Sequence, residues 1–293
     1  MKLENMNNSD FLFTYNKSNH LMPRMSRAND LVTVNQEGLG EFIQKVSGFF
    51  LEKITSIKEI FSINGKKPTF NIKDFNKLSP SINKLSELDA SAQAALKNIL
   101  IPWIPGIDQD FYQLVTGLVP HLDNIQKNGE AVLEDVDTYL AKIAGDEDFR
   151  ISKAPSKDLL NTLKKFESND TVYLETIING RQMKDVIEIE KALPNFKVLP
   201  NIHASLESIT DISKVATLEK IADKINRLVD RANGIYTILK QDKTAMSKVK
   251  VDELVNVLTY SSKIVINISS LIRLYDAATK VEKALIEKLS KVI

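Results

Sequence analysis

Residues 37–63 read EGLGEFIQKVSGFFLEKITSIKEIFSI, and the spacing of their apolar side chains decides the fold class. Leu39, Phe42, Ile43, Val46, Phe49, Phe50, Ile54, Ile57, Ile60 and Phe61 recur at steps of three and four, which sets them on one helical face. Glu41, Lys45, Glu52, Lys53 and Glu59 fall mostly on the other. Asn64-Gly65 and then Pro68 stop the pattern, so the spacing predicts a helix from Gly38 to about Ile63. Such a face packs on a core or lies on a membrane surface. The polar side sets Lys45, Lys53, Lys58 and Lys66 against Glu41, Glu52 and Glu59, without the cationic excess that anionic bilayers select. Packing is therefore the favoured use. Membrane contact through Phe42, Val46, Phe49, Phe50, Ile54, Ile57 and Phe61 is the alternative.

Before this helix the character changes. Residues 1–37 hold seven Asn and four Met with balanced charge and no period, and Phe11-Leu12-Phe13 is the main apolar cluster. A stretch this polar cannot fill a core of its own and reads as a leader. After it, helical patterning fills most of the chain, giving a mainly α fold. Short helices are expected from Pro80 or Ser81 to Leu100 and from Asp108 to Leu118, with Pro120 kinking or ending the second. Another is expected from about Gly129 to Ala144, closing at Gly145. Between the first two, Ile101-Pro102-Trp103-Ile104-Pro105-Gly106 is a firm break, with Trp103 wedging the corner.

Lys157 to Phe166 reads as a short helix. Val172–Ile178 and Val186–Ile189, on either side of Asn179-Gly180, read as one small β-hairpin. Pro194 and Pro200 bracket a linker. Two long helices close the chain, roughly Ala204–Lys240 and Val251–Val292, and are expected to form an antiparallel pair. The organisation is thus a leader (1–37), an N-terminal helical region (38–150), a short helix, hairpin and linker (151–200), and the long pair (201–293).

Composition excludes several chemistries. There are no cysteines, so disulfides, thiolate metal sites and cysteine nucleophiles are absent. The net charge is +1, distributed as +3 over 38–100, −7 over 101–150 and +5 over 151–293, so no global field attracts nucleic acid. The N-terminus has no apolar run behind a basic start. The most apolar window, Val255–Ala278, is interrupted by Lys263, Arg273 and Asp276 and reads as a core helix. His20, His121 and His203 stand far apart and fit no metal spacing. The acidic cluster Glu130, Glu134, Asp135, Asp137, Asp146, Glu147 and Asp148 lacks the alternation and closing Glu of a calcium loop. Glu188 and Glu190 share a strand face without a cleft, and no phosphate-binding glycine loop or GxSxG is present. No catalytic, cofactor or metal site is expected, and the chain reads as a non-enzyme.

Val34-Asn35-Gln36-Glu37-Gly38-Leu39-Gly40-Glu41-Phe42 resembles the junction in internal head (core) proteins of large tailed bacteriophages. The likeness is one of layout: a leader ending in Glu, a mature part opening on Gly and an amphipathic helix, then a helical body. It implies a virion protein packaged inside the capsid, whose leader the prohead protease removes between Glu37 and Gly38. The implied partners are capsid or other virion proteins, the protease and a host protein after delivery. The implied places are the host cytoplasm during assembly and the virion interior afterwards. Two alternatives stay open beside it, a helical membrane-active or pore-forming protein using 38–63, and a host-directed binding effector.

Overall fold

A computed structural model describes residues 36–61, 77–104, 106–107, 109–177, 186–209, 212–242 and 245–292. Residues 1–35, expected to be a leader, the expected connector with Phe70, Ile72 and Phe75, and the expected Asn179-Gly180 turn lie outside the described residues, as do the side chains of Glu37 and Phe61. In chain order the elements are α1 (Gln36–Phe61), α2 (Ser79–Ser86), α3 (Ala90–Leu96), β1 (Leu100–Pro102), α4 (Phe111–Gly145) and α5 (Glu147–Ile151). There follow α6 (Lys157–Ile177), β2 (Val186–Glu188), α7 (Ile189–Ala192), α8 (Leu199–Glu207), α9 (Ile212–Gln241) and α10 (Lys248–Leu289). The fold is mainly α.

Helix α10 is the centre. Of its 42 residues 29 are buried, and they occur on every side of the helix. A helix apolar all round must be covered all round. Helices α1, α4 and α6 pack along it, with α2, α8 and β1 at its C-terminal half. By length and composition α10 would also cross a membrane, yet 83% of its most apolar window is buried inside the protein. Its start is capped by Ser247, whose hydroxyl accepts from the Lys250 N–H at 3.2 Å. Ser261 and Ser262 donate to the carbonyls of Val257 and Leu258, so their hydroxyls are satisfied without leaving the helix.

Helix α1 starts two residues earlier than the spacing predicts, and its apolar face is absorbed by the body. Leu39, Ile43, Val46, Phe50, Ile54, Ile57 and Ile60 are all buried, against α9 and α10. Phe42 and Phe49 are partly buried against the same core. Gly40 lets α9 approach: an added Cβ would lie 3.1 Å from the Tyr236 ring. One continuous cluster runs from Leu39 to Leu289, so the three regions that follow the leader share a single core.

Four sequence expectations are corrected. First, Val172–Ile177 is not a strand but the last turns of α6, and there is no hairpin around Asn179-Gly180 with that arm. The small antiparallel sheet joins distant segments instead, with Leu100 opposite Glu188 and Pro102 opposite Val186. The Val172–Ile177 arm falls on a helical period as well, and burial of Leu174 and Ile177 against the core decides for the helix. Second, α4 runs unbroken through Pro120. Proline removes one backbone donor and crowds the preceding turn, a cost of about 3 kcal/mol that packing on both flanks offsets. Third, the region 204–240 is two helices, α8 ending at Glu207 and α9 starting at Ile212. Fourth, the two long C-terminal helices are present but are not chiefly each other's partners. Helix α9 packs on α1 and α4, and α10 packs on α1, α4 and α6. Trp103 does wedge the corner, fully buried, its indole N–H donating to the Ile107 carbonyl at 3.0 Å.

Because α1 supplies the largest apolar face between α9 and α10, Phe50→Ala is expected to cost about 3–5 kcal/mol. Urea unfolding followed by circular dichroism measures it.

Candidate functional site: a groove between two helices

Local costs gather at one place on the surface, where α4 and α6 meet. On α4 stand Gly117, Pro120, His121 and Asn124; on α6 stand Ser168, Asn169, Asp170, Val172 and Tyr173. Gly117 has no side chain because none fits: a Cβ would lie 2.8 Å from the Tyr173 ring. That ring fills the space, donates its hydroxyl to the Leu114 carbonyl at 3.2 Å and stacks on His121 with centroids 4.3 Å apart. Its burial pushes the phenol well above the usual range. Three residues on from Gly117, Pro120 takes the position that would otherwise donate to the Thr116 carbonyl.

Behind the histidine lies Asp170, 1% exposed, with Oδ1 2.7 Å from His121 Nδ1. A carboxylate accepts, so Nδ1 carries the hydrogen, and in the neutral ring the Nε2 lone pair is then left for another partner. The histidine lines a groove of about 400 Å³ together with Pro120, Asn124, Ser168, Asn169 and Val172. Asn124 already accepts from Asn128 at 2.7 Å, and Ser168 donates to the Lys165 carbonyl at 3.2 Å. A carboxylate–imidazole pair with one nitrogen turned to an open groove can accept a proton or hold a donor group.

Beneath the groove α6 is tied to α10. Asn267 donates to Thr171 Oγ1 at 2.9 Å and to the Glu167 carbonyl at 3.2 Å, and Thr171 donates to Glu167 Oε1 at 2.7 Å. These buried bonds fix the rotation of α6 and hence the direction of Asp170.

The other histidine within the described residues, His203 on α8, is buried between Ser79 and Glu282. Its Nε2 lies 3.3 Å from Ser79 Oγ, and its Nδ1 lies 3.3 Å and 3.4 Å from the two carboxylate oxygens of Glu282. The three side chains tie α2, α8 and α10 together at their common junction. Glu282 is fully buried, and desolvation raises its carboxyl above the ordinary value despite the opposing pull of His203. A second buried pair sits at the start of α10. Lys250 Nζ is 2.7 Å from Glu253 Oε2 and 4.0 Å from the centre of the Phe149 ring.

The residues singled out in the sequence are scattered. Gly38 is exposed in the first turn of α1, while Phe42, Val46, Phe49, Phe50, Ile54 and Ile57 face inward. The acidic residues of 130–148 are drawn into separate roles: Glu134 pairs with Lys224, Asp137 with Arg231 at 3.1 Å, and Asp146 caps α5. Glu188 pairs with Lys191 and Glu190 with Lys97, so they do not act together. Among the described residues no group of three or more His, Asp or Glu is placed to hold a metal. Sequence spacing missed the pairing of His121 with Asp170, which lie 49 residues apart. The signal that was legible is the cluster of Gly117, Pro120 and His121 within five residues of a helical pattern.

No protein-family model, curated protein or solved structure matches this chain.

Two outcomes follow from this geometry. Gly117→Ala is expected to displace Tyr173 and to cost about 1–3 kcal/mol, with loss of the ring-current shift on the His121 imidazole protons in NMR spectra. Glu282 binds its proton more tightly folded than unfolded. Its contribution is therefore fully present below the ordinary carboxyl pKa of 4.5 and is lost as pH rises through the folded value. Glu282→Gln is expected to flatten that fall in stability above pH 4.5, as read by urea unfolding at successive pH values.

Proposed function

We propose that this protein is a non-enzymatic virion component of a large tailed phage, packaged inside the capsid, trimmed after Glu37 and delivered to the host. The observation that carries the reading is where packing begins. The Glu37-Gly38 bond lies in the first turn of α1, Gly38 is exposed, and among the described residues Leu39 is the first buried side chain. The first turn of a helix holds few of its own backbone bonds, so a protease can draw it into extended form at small cost. Among the described residues, every member of the core, which runs from Leu39 to Leu289, lies on the C-terminal side of that cut.

The body suits assembly. Its long helices close on one core, and among the described residues the exposed large apolar side chains are Leu51, Leu100, Tyr112, Ile151, Val172, Val186 and Val292, of which Leu100 and Val186 stand on the paired strands. The membrane-active reading needs the α1 face or α10 to leave that core, since both are buried. Contact with DNA, where it occurs, is weak and salt-sensitive at a net charge of +1.

Mass spectrometry of purified virions tests the proposal. A mature chain whose first residue is Gly38 is the expected result, and absence of the chain from particles overturns it.

A further inference from the structure

The charge on Asp170 is incompletely balanced. Its carboxylate is 1% exposed, and among the described residues its one ionic partner is His121. The cations nearby serve other groups: Lys127 pairs with Asp123 on α4, and Lys263 of α10 comes within 4.0 Å of Glu167. A carboxylate held in the protein with only a neutral hydrogen bond retains much of its desolvation cost. Two events relieve it, a proton on His121 or a cation brought to the far side of the ring.

The groove is shaped for the second. Among the described residues no Lys or Arg lines it, and beside His121 its lining carries the Ser168 hydroxyl and the side-chain amides of Asn124 and Asn169. Pro120 and the exposed Val172 add apolar surface at the rim. An alkyl stem lies well on such a wall while its charged end reaches polar atoms.

We propose that the α4–α6 groove binds an organic cation, a primary ammonium or guanidinium group on an alkyl stem. An N–H of the cation donates to His121 Nε2, the stem rests on Pro120 and Val172, and Asp170 supplies the countercharge through the imidazole. The groove's volume of about 400 Å³ admits a lysine or arginine side chain or a free amine of that size. Protons compete with the ligand, because a protonated His121 turns Nε2 into a donor and satisfies Asp170 by itself. Of the other titratable groups around the ring, Asp123 and Glu167 face Lys127 and Lys263, and burial keeps Tyr173 in its protonated form. This site stands independently of the virion reading.

The test uses the full chain with two probes, Nα-acetyl-arginine methylamide and n-butylamine, titrated by calorimetry and by NMR of the His121 ring. Measurements are made at about pH 8 and about pH 5.5, which differ by more than two orders of magnitude in proton activity. The expected result is binding at the higher pH that weakens about tenfold or more at the lower, and about tenfold or more in Asp170→Asn. His121→Gln and the pH comparison on the unaltered chain keep the test decisive if the buried substitution unfolds the protein. Preference for the arginine derivative assigns the site to a protein side chain, and equal binding of butylamine assigns it to a free amine. Binding of neither probe, binding indifferent to pH, or capture of inorganic phosphate in their place overturns the proposal.

Discussion

Covering α10 is the constraint on which the rest of the structure depends. A 42-residue helix with 29 buried positions exposes apolar surface in every direction unless several partners surround it. No single neighbour suffices, and the chain recruits α1 from its N-terminal part, α4 from its acidic middle and α6 from the segment between. The connections that result are long-range, which is why one core extends from Leu39 to Leu289. Helix α9 then lies over α1 and α4 and completes the covering from outside.

Several polar groups inside that covering have local partners, although among the described residues Thr259 Oγ1 and Glu282 Oε1 on α10 make no hydrogen bond. Ser261 and Ser262 of α10 bond back to their own helix, Lys250 and Glu253 pair beside Phe149, and His203 stands between Glu282 and Ser79. Buried pairs of this kind add little net stability, since the desolvation of two charges nearly cancels their attraction. They do fix register. Sliding α10 by one turn against α8 would separate His203 from Glu282 and leave a buried carboxyl alone, so the arrangement of helices is specified as well as stabilised.

The groove differs in kind, because there the local preferences of the sequence are overridden together. A proline stands inside a helix, a glycine is held where tyrosine must fit, and a carboxylate is buried without a permanent cation. Each feature weakens the fold by itself. Their convergence on one histidine is the physical argument behind the proposed binding site.

The sequence by itself determined the helices. The three-four spacing of α1, the burial of the α10 segment and the role of Trp103 could all be read from residue order, because helical period is a local property. Only the tertiary structure decided which helix touches which, and here local reading failed in instructive places. Val172–Ile177 carries strand-forming residues yet turns helical because Leu174 and Ile177 are needed on one face of α6. The strand Val186–Glu188 found its partner 84 residues or more upstream at Leu100–Pro102. His121 gained its meaning from Asp170, a residue no spacing rule connects to it. Periodicity acts over neighbouring turns and is written in the chain, whereas pairing across a core depends on which faces remain to be covered, and that is settled when all of them pack at once.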